Sequence, residues 1–250
     1  YGYSENIFLK KDILRDSKNH GYVFILDWSG SMAPDVSGTL QQLVRMTSFC
    51  KHVGIPYEVY VFRTTSPYFD KTYTPRTKKL FSENDNDISF DTDIVVDNVL
   101  SSRMKANEYT VAIKRLLFGR RSISSFNMGS TPLNSTIVMS EQLVDKFLGT
   151  AGVDNINVVY LTDGDSDFVK GVINTRNGIA GLERMSVGYG DDNDLIIRKN
   201  SITDVLHKYQ GNWQDNIRLT AALLNITKQN IAEKYPTKAF NTIGMFLDPS

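Results

Sequence analysis

The stretch Tyr22-Val23-Phe24-Ile25-Leu26-Asp27-Trp28-Ser29-Gly30-Ser31 decides the fold. Five apolar residues run without interruption from Tyr22 to Leu26 and stop at an acid. A short run of this kind suits a strand buried on both faces, as in a parallel sheet. The Ser/Gly turn behind it hands the chain to a segment with helical spacing at Leu40, Leu43, Val44 and Cys50. Gly54 and Pro56 close that helix.

The same alternation continues outward. Tyr57 to Phe62 reads as a second strand and 64–86, rich in Thr, Pro, Asn and Asp, as loop. Ile88 to Leu100 reads as an edge strand centred on Ile94, Val95 and Val96, and Met104 to Leu117 as helix. Gly129-Ser130-Thr131-Pro132 is a second punctuated turn, with Pro132 at the first helical position and Leu133, Ile137, Val144 and Phe147 as the face behind it. Ile156 to Leu161 is a third apolar run, ending at Thr162-Asp163-Gly164. Ile217 to Ala232 reads as a helix with Ile217, Ala221, Leu224 and Ile231 on one side, and Thr242 to Leu247 as a last strand. Alternating strands and helices predict an α/β fold, a mostly parallel sheet flanked by helices.

Residues 165–216 break the alternation. They hold many glycines and the acidic turn Asp191-Asp192-Asn193-Asp194, which reads as solvated. Leu195 to Arg198 and Asp204 to Tyr209 read as a hairpin around 199–203. The stretch is too long for an ordinary loop and is expected to be a β-rich insertion on the sheet's edge. Residues 1–250 are thus read as one domain carrying an insertion. Tyr1-Gly2-Tyr3-Ser4 lacks an initiator Met and a leader pattern, and reads as the start of a fragment.

Bulk chemistry narrows the function. The 250 residues, 41% of them hydrophobic, suffice for a substantial core. Lys+Arg and Asp+Glu both number 28, so no field of one sign exists to attract nucleic acid or an anionic membrane. No run reaches the ~18 apolar residues of a spanning helix. Cys50 is the only cysteine, so no internal disulfide forms, and a cytoplasmic location is expected. The sequons at Asn134 and Asn225 fall within predicted helices and read as chance matches.

Three turns carry small oxygen ligands: Asp27, Ser29 and Ser31 in the first, Thr131 in the second, Asp163 in the third. Asp27 and Asp163 sit at the carboxyl ends of strands, where open α/β sheets bind ligands. Neighbouring strands would bring the two carboxylates together, and Thr131 at a helix start reaches the same spot. An all-oxygen set suits a hard cation such as Mg²⁺, with Mn²⁺ or Ca²⁺ as alternatives. No histidine lies near these turns, which argues against zinc. Asp-x-Ser-x-Ser alone is a weak signal, because a strand-end Asp capping its own turn explains it equally well. Gly-Ser-Thr-Pro before a helix and Leu-Thr-Asp-Gly after a strand shift the weight toward a metal site. Asp163 to Asp167 also mimics an EF-hand start, but Phe168 stands where Gly is needed and Asn174 where Glu is needed.

Asp27-x-Ser29-x-Ser31, Thr131 after a glycine turn and Thr162-Asp163-Gly164 together resemble the metal-ion-dependent adhesion site of von Willebrand factor A (VWA) domains. The resemblance covers roughly 20–163 and 216–247. It implies a Rossmann-like sheet flanked by helices. It implies that Ser29, Ser31 and Thr131 contact the metal directly or through water, and that Asp27 and Asp163 act partly through water. Two departures are the 165–216 stretch and the missing final helix and strand. The Thr162 to Ser166 motif, the insertion and Asn241 to Leu247 look like cobaltochelatase CobT-like VWA domains of bacteria or bacteriophages. That likeness implies a non-catalytic subunit of a chelatase-like or AAA+ ATPase-associated complex. The expected partner is a protein that supplies an Asp or Glu to the metal, with Trp28 as a candidate aromatic contact. The alternatives are an extracellular adhesion domain and, ranked last, a metal-dependent hydrolase. No nucleophile elbow, P-loop or Cys/His pair is present.

Overall fold

A computed structural model describes residues 19–64, 88–89, 94–118, 128–164, 166, 171–174, 181–184, 195–199, 202–206 and 213–246. Strand β1 (His20–Asp27) leads through helix α1 (Val36–Val53) to β2 (Tyr57–Thr64). Then come β3 (Ile88–Ser89), β4 (Ile94–Ser101), α2 (Ala106–Phe118), α3 (Leu133–Leu148) and β5 (Asn155–Thr162). After β6 (Gly171–Asn174), β7 (Gly181–Arg184), β8 (Leu195–Lys199) and β9 (Ile202–Leu206), the chain continues into α4 (Trp213–Lys234) and β10 (Ala239–Phe246).

Five strands form one sheet in the order β10-β5-β1-β2-β4. All neighbours are parallel except β2 and β4. The fold is therefore mixed α/β, with a mostly parallel sheet flanked by helices. The alternation of side chains along β1 sorts the core into two layers. Val23 and Ile25 pack with Leu133, Ile137, Val144 and Phe147 of α3 and Leu219, Leu223 and Ile231 of α4. Phe24 and Leu26 face the other way, onto Val36, Leu40 and Leu43 of α1 and Leu116 of α2. Burial on both faces is why the strand reads as a continuous apolar run.

Helix ends follow local chemistry. Gly54 takes a left-handed φ of 76° and its N–H donates to the Cys50 carbonyl, ending α1. Pro132 stands one residue before α3 rather than at its first position. Its carbonyl already accepts from the Thr136 N–H, so it is the half-in flanking residue. The predicted face of α4 also needs correction. Ile217 is 41% exposed, while Asn216, Leu219, Leu223, Thr227 and Ile231 are buried. Polar residues with partners on α3 complete that stripe, and an apolar pattern cannot detect them. The strand expected over 88–100 is two pieces, with Ile94 to Val96 at the start of β4.

Strands β6 to β9 are not part of the five-stranded sheet. The pair β6-β7 joins β3 in a three-stranded sheet, and β8 pairs with β9 in a hairpin of its own. The predicted loop at 65–86, the acidic turn at 191–194 and the hairpin's end at 207–209 lie outside the described residues. Asn134 is buried and hydrogen-bonded by its side chain, so its sequon cannot serve as a glycan acceptor in the folded chain. No helix among the described residues is long and apolar enough to cross a membrane.

Candidate metal centre

The strand order places β1 between β2 and β5, so chain connections leave it in opposite directions. The crevice at such a switch point is where open α/β sheets bind ligands. Register sets Leu26 opposite Leu161, which carries Asp27 and Thr162 to the same level and puts Asp163 just beyond. The Thr162 hydroxyl donates to Asp27 Oδ2 at 2.8 Å. Asp27 Oδ1 accepts from the Ser29 N–H at 2.9 Å, so the carboxylate also closes the first turn. The Ser29 and Ser31 hydroxyls lie 2.9 Å apart, and Ser31 Oγ donates to Asp163 Oδ1 at 3.1 Å. Asp27, Ser29, Ser31 and Asp163 are thus linked through one chain of hydrogen bonds, the first of them from the Ser29 backbone N–H.

Thr131 arrives by a separate route. Ser29 and Gly129 form an isolated parallel bridge, in which the Gly30 N–H donates to the Gly129 carbonyl at 2.9 Å and the Gly129 N–H to the Trp28 carbonyl at 3.2 Å. The Ser130 N–H donates to Thr64 Oγ1 at 2.8 Å. The loop carrying Thr131 is therefore stitched to the loop carrying Ser29 and to the end of β2. A Cβ on Gly129 would lie 2.4 Å from the Thr64 carbonyl oxygen, so only glycine fits. Gly129→Ala is expected to push the Thr131 loop off β2 and weaken cation binding at least tenfold, a loss of about 1.4 kcal/mol or more. Calorimetric titration of the variant with Mn²⁺ checks this.

Asp27 is fully buried, and burial pushes its carboxyl up to about 6. Hydrogen bonds from Thr162 and Ser29 oppose the rise, and the nearby Asp163 charge adds to it. Among the described residues no Lys or Arg pairs with either acid. Two carboxylates share a corner with no described counter-charge.

The donor set fits a hard dication. Adjacent ligands in an octahedron with metal–oxygen distances of about 2.0–2.1 Å lie about 2.9 Å apart. The Ser29–Ser31 spacing has that value. Among the described residues no three His, Cys, Asp or Glu side chains gather in one place, and the donor set here is two carboxylates and hydroxyls.

Trp28 is not a surface contact. It is buried with Phe24, Leu26, Met32 and Val36 beneath the first turn, because its position continues the inward-facing series of β1. Thr162 and Thr64 were not assigned roles from sequence. A hydroxyl beside a strand-end Asp is a usable signal for Thr162; nothing near Thr64 marks it.

The chain matches no family model and no curated protein. Among solved structures it is similar to the pilus adhesin SpaC from Lactobacillus rhamnosus GG in an open conformation. There the TM-score is 0.46 and identity 13%, over 92% of this chain and 24% of that one. A second SpaC structure gives 0.47 and 14% over the same shares. The PilB minor pilin from Streptococcus sanguinis gives 0.41 and 11%, over 94% of this chain and 59% of that one. The chain thus spans 24% of the adhesin chains it matches. At so loose a superposition each is a similarity alone.

Proposed function

We propose that this chain is a divalent-cation-dependent protein-binding module of the VWA type. The observation that carries the reading is the convergence of Asp27, Ser29, Ser31 and Asp163 into one linked oxygen cluster at the switch point. Thr131 is on a loop bridged to the same turn. Asp27, Ser29, Ser31, Thr131 and Asp163 would hold Mg²⁺ or Mn²⁺, with Ca²⁺ as the larger alternative. Both oxygens of Asp27 already accept a hydrogen bond, which suits a role through an intervening water.

The cation, when bound, supplies an electrophilic position for an outside ligand. Among the described residues two carboxylates surround it and the hydroxyls bring no charge, so an Asp or Glu of a partner protein completes the site. Ser31 and Gly30 are exposed beside it, leaving the cluster open to a partner. We assign the module no turnover of its own. Among the described residues the Ser29 and Ser31 hydroxyls have each other, Asp27 and Asp163 as partners rather than a histidine base. His20 is at the other end of β1, and His52 is at the end of α1. We place the module in a cytoplasmic chelatase-like or AAA+ ATPase-associated complex, in keeping with a lone, buried Cys50.

Mn²⁺ titration of the wild type and of Ser29→Ala tests the site. One site in the wild type, weakened at least about tenfold in the variant, is expected; equal binding by both would remove the assignment. Capture from native extract tests the use. An ATPase retained in Mg²⁺ and released by EDTA supports the complex, whereas a matrix protein favours adhesion, and retention unchanged by EDTA contradicts a cation-dependent grip.

A further inference from the structure

Helix α3 carries no capping side chain of its own, since the residue before it is Pro132. Its Asn134 N–H instead donates to Ser166 Oγ at 2.9 Å. Ser166 lies three residues past Asp163, and Asn134 three past Thr131. One hydrogen bond therefore joins the backbone segments that carry two of the five cation-binding residues. Ser166 is in turn fixed from α4, where the Asn216 side-chain amide donates to its carbonyl oxygen. Asn134 Nδ2 donates to Asn216 Oδ1 at 3.2 Å, and the Thr220 hydroxyl donates to Asn134 Oδ1 at 2.7 Å. Ser166, Asn134 and Asn216 are all buried. Buried amides without partners are costly, so the arrangement that satisfies them all is strongly preferred over its alternatives.

We infer that Ser166 and Asn216 are positioning residues of the cation site: they lock the Asp163 segment to the start of α3, just behind Thr131. The inference rests on the metal reading above. It also explains how the 165–216 stretch bears on the site, because Ser166 and Asn216 lie at its two ends and both are tied to α3. A partner that pulls on this stretch pulls on the spacing between Asp163 and Thr131. Groups that orient metal ligands from outside are worth about 10–100-fold in affinity when removed.

The test is Mn²⁺ titration of wild type, Ser166→Ala, Ser166→Thr and Thr220→Val, with thermal melting of each in EDTA. Ser166→Ala is expected to bind on the order of tenfold more weakly. Ser166→Thr, which keeps the hydroxyl, is expected to stay within about threefold of wild type, well inside that outer-group loss. Thr220→Val is expected to lose part of the affinity while melting as cooperatively as wild type, a result that stands even if Ser166→Ala fails to fold. Wild-type affinity in both Ser166→Ala and Thr220→Val, with the wild type itself binding, overturns this inference alone. No binding by the wild type overturns the metal reading and this inference with it.

Discussion

Asp163→Ala is expected to abolish cation binding and leave the metal-free domain at least as stable as wild type. Among the described residues Asp163 supplies one of two carboxylates in the cluster, and its Oδ1 accepts from Ser31. Losing one of the charged groups that hold the cation should cost at least the roughly hundredfold upper end for losing an outer group. Stability should move the other way. Asp163 raises the pKa of buried Asp27 by repulsion, so its removal relieves a strain that the cation would otherwise neutralise. Asp163 is only half-buried and lies beyond the end of β5, so its loss opens no core cavity. Calorimetric titration with Mn²⁺ and thermal melting in EDTA at about pH 7.5, above the Asp27 value of about 6, read the two effects. A variant that binds Mn²⁺ like wild type would contradict the account, as would one that melts well below it in EDTA.

Lowering the pH is expected to cost affinity and, without metal, to add stability. Asp27 has a folded-state pKa of about 6 against an ordinary 3.8, with burial the main cause. Its ionised form is thus disfavoured by folding. The linked stability is present below the unfolded value and is lost as pH rises from about 3.8 through about 6. The loss is about 3 kcal/mol, an order-of-magnitude figure obtained at 1.36 kcal/mol per pKa unit. Cation binding requires the ionised carboxylate, so Mn²⁺ affinity should fall as pH drops below about 6, approaching tenfold per unit. Asp27→Asn should remove the pH dependence of metal-free stability across that window. Melting in EDTA between pH 4 and 8 and titration at each value (roughly the range over which the Asp27 carboxyl changes charge) check both signs.

Much of the fold was legible because its central strands β1, β2 and β5 are buried on both faces. Tyr22 to Leu26 and Ile156 to Leu161 announce themselves as unbroken apolar runs, and the structure pairs them side by side. The face of α4 was not legible. Asn216 and Thr227 replace apolar residues on its buried stripe, and their burial depends on partners from elsewhere in the chain, Asn134 and Ile137. Trp28 misled for a related reason, since an aromatic next to a ligand turn can face out or in, and only the pleat of β1 decides. At the site, Asp27, Ser29, Ser31 and Asp163 could be read because motif spacing and strand ends coincide. The supports could not be read. Thr64 acts on Gly129 from 65 positions away, and Ser166 acts on Asn134 from 32. Contacts of that range leave no periodicity in a single sequence.

The most direct test of the central claim is a crystal of the domain soaked in Mn²⁺, with data collected for anomalous scattering. One strong peak is expected among Ser29 Oγ, Ser31 Oγ, Thr131 Oγ1 and the carboxylates of Asp27 and Asp163. A map with no peak there, or with its strong peak elsewhere on the molecule, would contradict it.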